Sequence, residues 1–262
     1  MDIPVEITNK KNHDEQLAAA IEKYNANVGL MITYSYRIPG NIIAKPQYGF
    51  YNVHPGPLPS YRGADPIFQQ IKNREKKAVV SLHKLDEGID SGPVIMQEVI
   101  PLNEYDTYGM INSRLAQAAV KPIRTLLKLI SFDLPVPFKV QDEREARYYK
   151  KQQADEIVIN WETMEAPEII ALINACNPWN KGAVTKLNNR IIRLLEAEIA
   201  ETPFSPAHPP GTVVQIDEQG MFIKTIKDQL LKVKIIYADE GFMNASRINQ
   251  TAIKPGDRFQ KI

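Results

Sequence analysis

The sequence predicts a Rossmann-like α/β domain with a mostly parallel sheet, followed by a small C-terminal OB-like β-barrel. Three observations lead there. Over the first 135 or so residues, amphipathic stretches alternate with short apolar runs, the pattern of a sheet covered by helices. The stretch "DLPVPFKVQDEREARYYKKQQAD" (133–155) then replaces periodicity with prolines followed by charges, as a surface linker does. Beyond it, short strand-like runs are separated by Asn-Asn, Asp-Glu-Gln-Gly and Lys-Asp, which are hairpin signals. The expected boundaries are a core over 1–135, a linker over 136–155 and a barrel domain over 156–262.

Taken in order, "DEQLAAAIEKYN" (14–25) spaces Leu17, Ala20, Ile21 and Tyr24 as a helix does, with Asp14 placed to start it. "VGLMITYSY" (28–36) is short, apolar and rich in strand formers, so a buried strand comes next. "IPGNIIAKPQYG" holds turn residues around one helical turn, and "FYNVH" (50–54) is the second strand. "GADPIFQQIKN" is a helix with Pro66 in its first turn, where a missing N–H costs nothing. "KAVVSLHKLD" (77–86) and "GPVIMQEVIPL" (92–102) are strands joined by "EGIDS", and a long amphipathic helix starts at Thr107. After the linker, "ETMEAPEIIALINAC" forms a helix that ends near "NPWNKG", ahead of the barrel strands.

Composition narrows the class. Hydrophobic residues make up 44% and charged residues 24%, ordinary for a soluble globular protein. Thirty-two basic residues against thirty-one acidic ones leave a net charge of +1, which argues against general attraction to nucleic acid or anionic membrane. The start lacks the pattern of a secretory signal, and apolar runs such as "VGLMI" are far too short for a membrane span. Cys176 is the single cysteine, so no internal bridge forms and a reducing, cytoplasmic setting is expected.

The chemistry-bearing candidates lie in two loops. In "YNVHPGPLPSYRG" (51–63), Asn52 and His54 are two apart at a strand end, so both side chains point to one face. An amide can stabilise an oxyanion and an imidazole can move a proton near neutral pH. Prolines 55, 57 and 59 stiffen the loop beyond this pair. A satisfied histidine beside a proline-rich turn explains the same residues equally well. In "DEGIDSGPVI" (86–95), Asp90 is bracketed by glycines and could hold the His54 imidazole in one tautomer; a solvated acidic turn is the competing reading. His13, His83 and His208 show no metal-ligand spacing, and His83 reads as a strand histidine lining the sheet.

"FYNVHPGPLPSYRGADPI" followed by "SLHKLDEGIDSGPVIMQ" resembles the signature of the folate-dependent formyltransferases, which include methionyl-tRNA, glycinamide ribonucleotide and amino-sugar formyltransferases. The thirty-six residues from His54 to Asp90 also fit. The resemblance implies Asn52, His54 and Asp90 as the catalytic trio and 10-formyltetrahydrofolate as formyl donor, with no metal. "YSYRIP" (34–39) resembles the segment that holds the pterin ring, which implies Tyr36, Arg37 and Ile38 as contacts, faced by Leu85, Asp86, Glu87, Gly88 and Ile89. "VINWETMEAPEIIALINACNPWNKG" resembles the linker helix and barrel entrance of methionyl-tRNA formyltransferase. The family places a strand, a helix and a second strand ahead of a segment like "DIPVEITNKKNHDEQ". Their absence makes the core N-terminally shortened, through a late start or a natural short form, and that part usually helps bind the amine.

The expected reaction is formyl transfer to a primary amine of a small substrate such as an amino sugar nucleotide. From Asn160 onward, twelve basic residues balance twelve acidic ones, which disfavours tRNA as partner, although lysines 224, 227, 232 and 234 cluster on two strands. Methionyl-tRNA formyl transfer, hydrolysis of the same folate and non-catalytic folate binding are the alternatives. The expected partners are the amine and the folate, no membrane, and a homodimer as an open assembly.

Overall fold

Helices and strands alternate through the first half, and among the described residues the chain forms five α-helices and twelve strands. In the computed structural model, residues 3–34, 36–201, 208–250 and 253–262 are described. The chain divides into two compact units, one of residues 1–66, 78–100 and 114–150, the other of residues 67–77, 101–113 and 151–262. Among the described residues no helix is long and apolar enough to cross a membrane.

In the first unit, α1 (His13–Lys23) starts with Asp14 and Glu15 and ends with Lys23, the charge order that suits the helix dipole. β1 (Gly29–Ile32), α2 (Gly40–Ile43) and β2 (Phe50–His54) come after it. Ile21 of α1, Ile42 of α2, Phe50 of β2 and the intervening Ile38 form one buried cluster. β3 (Arg62–Gly63) comes next, then β4 (Lys77–Lys84) and β5 (Val94–Pro101); α3 (Pro66–Lys72), which lies between β3 and β4 in sequence, belongs from Ile67 onward to the second unit. The sheet order is β1-β2-β4-β5. β1 and β2 pair in parallel, with Met31 opposite Asn52. β2 and β4 pair antiparallel, with Asn52 opposite His83 and His54 opposite Ser81. β2 is thus paired in parallel on one side and antiparallel on the other. Alternation of helix and strand reveals that a sheet is covered, but not which way each strand re-enters it.

α4 (Tyr108–Ser131) is the long helix, and Thr107 caps it by accepting the Met110 N–H. The stretch after it carries more contacts than its composition advertises. Lys139 bridges Val94, and β6 (Tyr148–Tyr149) pairs in parallel with β3.

In the second unit, α5 (Ala166–Ala175) begins at Glu165, whose N–H donates to the Glu168 carboxylate. The strands are β7 (Ala183–Leu187), β8 (Arg190–Ile199), β9 (Val213–Asp217), β10 (Gly220–Lys224), β11 (Leu230–Ala238) and β12 (Gly241–Asn244). They form one antiparallel sheet in the order β7-β8-β11-β10-β9, with β12 on β11. Its ladder does not close among the described residues, so the expected OB-like barrel is an open sheet here. The C-terminal segment touches both ends through isolated bridges, Lys186 with Gln260 and Thr212 with Arg258. Short strands and tight turns specify hairpins, whereas closure depends on pairing between strands distant in sequence. Trp161, 1% exposed, stacks on Phe259 and donates its indole N–H to Thr185.

Candidate active site

β2 ends in Asn52 and His54, and the antiparallel register brings Ser81 and His83 of β4 beside them. Ser81 and His83 alternate with buried Val80 and Leu82, so the polar pair shares one face of the strand. The proline loop then closes over His54. Ser81 donates to the Gly56 carbonyl at 2.6 Å and accepts the Leu58 N–H at 3.3 Å. A Cβ on Gly56 would stand 2.9 Å from His54 Nε2, so glycine permits the close approach.

Asp90 is where the expected trio meets. Its Oδ1 accepts from Asn52 Nδ2 at 3.3 Å and lies 3.4 Å from His83 Nε2. Its Oδ2 lies 3.4 Å from His54 Nδ1 and accepts the Gly63 N–H at 2.9 Å. The structure therefore brings Asn52, His54 and Asp90 together and adds His83, which is 2% exposed. The sequence alone reads His83 as merely lining the sheet. The register opposite Asn52 makes it a member of the cluster, and the alternation of Ser81 and His83 within an apolar strand is the signal that could have found it.

Hydrogen-bond chemistry fixes the tautomers. His54 Nε2 is 2.6 Å from the Tyr61 carbonyl, which only accepts, so Nε2 carries the proton and donates. Burial pulls the His54 pKa below its ordinary value, opposed by Asp90 and the Tyr61 bond. The imidazole is thus neutral near pH 7, and its Nδ1 lone pair faces a carboxylate. His83 Nδ1 is 3.0 Å from the Lys84 carbonyl and donates to it. Its Nε2 then accepts from the Asn52 amide, 3.3 Å away, or donates to Asp90 if protonated. Burial works to raise the Asp90 pKa. The His83 hydrogen bond, the positive charge that His54 gains in the acid range where Asp90 titrates, and the Gly63 N–H overcome it and hold the value at about 2.

The two segments expected to hold a flat ring are also adjacent. Arg37 Nη2 donates to the Glu87 carbonyl at 2.5 Å. Ile38 and Leu85 belong to one apolar cluster. Asp86 Oδ1 accepts from the Gly88 N–H and the Ser91 hydroxyl, which shapes the turn ahead of Asp90. Tyr36 and Ile89 remain exposed, at 38% and 61%, with the Tyr36 ring tilted against His13. Ser35, inside the first segment, lies outside the described residues. A cleft of about 350 Å³ lies between the α2 region (Gly40, Ile43, Gln47) and Lys84, Asp86 and Glu87. Exposed apolar groups beside a cleft with backbone polar groups suit a heterocycle.

Comparison with known proteins finds matches over both halves of the chain. Residues 4–127 match the formyl transferase family model and residues 151–251 match that of the formyl transferase C-terminal domain. The methionyl-tRNA formyltransferase of Caldicellulosiruptor saccharolyticus is 30% identical over 246 residues, which is 93% of this chain and 77% of that protein. The methionyl-tRNA formyltransferase of Dictyoglomus turgidum is 31% identical over 269 residues, covering 98% of this chain and 82% of that protein. Among solved structures, HypX from Aquifex aeolicus in complex with tetrahydrofolic acid superposes with a TM-score of 0.72 at 19% identity over 93% of this chain. The chain spans only 42% of HypX. The sugar 3N-formyl transferase WlaRD superposes with a TM-score of 0.62 at 19% identity, covering 78% of this chain and 70% of that one. At such identities the structures establish fold alone, but the curated relatives and both family models settle membership: the chain belongs to the formyl transferase family, and it carries the family's characteristic C-terminal domain as well.

Proposed function

We propose that the chain transfers a formyl group from 10-formyltetrahydrofolate to the primary amine of a small substrate such as an amino sugar nucleotide, in a cytoplasmic setting. The observation that carries the chemistry is the Asp90 carboxylate, within 3.4 Å of Asn52, His54 and His83 side-chain nitrogens. The folate, when bound, supplies an activated formyl group. Tyr36, Arg37 and Ile38 on one side and Leu85 to Ile89 on the other would hold its ring system.

The distances and tautomers support a role for each group. Asn52 places its amide nitrogen 3.3 Å from both Asp90 Oδ1 and His83 Nε2, and turning one of its two hydrogens from His83 toward the formyl oxygen would let it meet the negative charge that builds there. Neutral His54 presents its Nδ1 lone pair toward Asp90, a ready place for the proton that an attacking amine must lose. Once there, the proton makes an imidazolium–carboxylate ion pair in a buried site. Asp90, ionised above about pH 2, stabilises that pair and fixes the ring.

The acceptor is argued from charge. Each of the four clustered lysines is tied to an acid. Lys224 pairs with Asp228 and Lys227 with Glu165, each at 2.5 Å. Lys232 pairs with Glu198, and Lys234 with Glu198 and Glu196. A neutralised face offers little to a phosphate backbone. The relatives that match across both domains favour the second reading, methionyl-tRNA as acceptor. The test is one assay with 10-formyltetrahydrofolate and three acceptors: dTDP-amino sugars, initiator methionyl-tRNA, and water alone. Transfer to the amino sugar is expected. Transfer to tRNA alone replaces it with the second reading, and formate release without amine makes the chain a hydrolase. Folate binding without turnover leaves a binding protein.

A further inference from the structure

Gln141 is 8% exposed, and all its polar atoms are engaged. Its Nε2 donates to the Asp90 carbonyl at 2.8 Å and to the Gly92 carbonyl at 2.6 Å. Its Oε1 accepts from Arg62 Nε at 3.0 Å. The orientation is not free: a guanidinium only donates and carbonyls only accept, so the amide can sit one way round. Arg62 is itself fully buried and is held by a two-bond fork to Glu143, at 2.7 and 3.0 Å, and by the Tyr148 hydroxyl at 2.5 Å. Such a buried charge persists only when paired in this way.

The target of this chain of bonds is a residue in a costly conformation. Asp90 has φ 51°, in the left-handed region that a non-glycine residue occupies only when its surroundings hold it there. The bonds to its backbone carbonyl and to the carboxylate from the Gly63 N–H do that from both ends.

We propose that Gln141 is a positioning residue for formyl transfer, keeping the Asp90 carboxylate between Asn52 and His54, and that the Arg62–Glu143 pair keeps Gln141 in place. The inference rests on Asn52, His54 and Asp90 being the reacting site. Gln141 touches none of the reacting atoms and acts through Asp90 alone.

The experiment uses the full chain with Gln141→Met, which keeps length and volume but has no donors, and Glu143→Gln, which weakens the fork from a carboxylate that is 69% exposed. Thermal unfolding, kcat, both KM values and the NMR titration of the His54 ring nitrogens are read for each. Misplacement of a supporting group is worth about tenfold or more in rate. For Gln141→Met we expect kcat to fall by about that factor, with KM values changed less than about threefold. The His54 titration moves to lower pH as Asp90 loosens its hold. Glu143→Gln shifts the same readouts in the same direction by less. Wild-type kcat and an unchanged His54 titration in folded Gln141→Met overturn the proposal. If that variant does not fold, the same result in Glu143→Gln overturns it alone. A wild type that transfers no formyl group sinks the functional reading instead, and the His54 titration still decides the role of Gln141.

Discussion

At the scale of single residues, the site is a carboxylate shared by two imidazoles, and pH exposes that sharing. Asp90 is held at about 2 in the fold against about 3.9 in an unfolded chain. It therefore contributes on the order of 2 kcal/mol of stability, fully present above about pH 4 and lost as pH falls toward 2. His54 has its pKa lowered by burial, so its neutral form also favours the fold above about pH 6.5, and acidification below that draws stability away. Both groups act in the same direction: urea midpoints should fall monotonically from pH 7 to pH 2. Removing the carboxylate charge with Asp90→Asn should cut kcat at least about 100-fold, the range for a proton-handling group, while steady-state KM for the amine stays close to wild type. His83→Gln separates the newly found member from the trio. Without the His83 bond the Asp90 pKa rises, so the acid unfolding midpoint moves up by a measurable fraction of a pH unit. An unchanged midpoint would show that His83 does not hold the carboxylate. Asn52 and His54 were legible in the sequence because both sit on one strand within three residues. Gln141 was not, because its partner Asp90 is 51 residues away, and nothing local marks a linker glutamine as buried.

At the scale of elements, two-residue strands carry more than their length suggests. β3 and β6 pair Arg62 with Tyr148 and Gly63 with Tyr149, and the Tyr61 and Tyr149 rings stack at 5.1 Å. Gly63 has φ 95°, and a Cβ there would stand 2.2 Å from the Tyr149 carbonyl oxygen. Gly63→Ala should thus break the pairing as well as strain the backbone, at a cost of about 1–3 kcal/mol. Because the Gly63 N–H also serves Asp90, kcat should fall in the fraction that stays folded. Chemical denaturation and active-site titration on one preparation measure both, and wild-type stability would refute the argument. The longer elements were readable from periodicity: α1, α4 and α5 all fall within or beside the stretches that spacing predicts. β3 and β6 were not, since two residues cannot display a period. Pairing direction was equally hidden, because Asn52 faces His83 only through an antiparallel register that no local pattern encodes.

At the scale of the whole molecule, the net charge of +1 leaves the distribution of charge to decide what large partners the surface can hold. On the open sheet, Lys232 stands opposite Glu198 in the β8–β11 register, and Lys234 reaches Glu196 and Glu198. Cross-strand pairs of this kind contribute little stability, about 1 kcal/mol or less each, but they cancel the field that a phosphate backbone would feel. Replacing the two acids, Glu196→Gln with Glu198→Gln, should leave the fold intact and release both lysines. Filter binding of tRNA over a salt series then reads the difference. The wild type should bind weakly, with a shallow dependence of log affinity on log salt. The double variant should bind more tightly, with a slope steeper by roughly one to two units, since each phosphate newly contacted adds about 0.9. Tight binding by the wild type with a steep slope would mean that a basic face lies elsewhere on the molecule, and would turn the balance of charge from an argument for a small acceptor into one for tRNA.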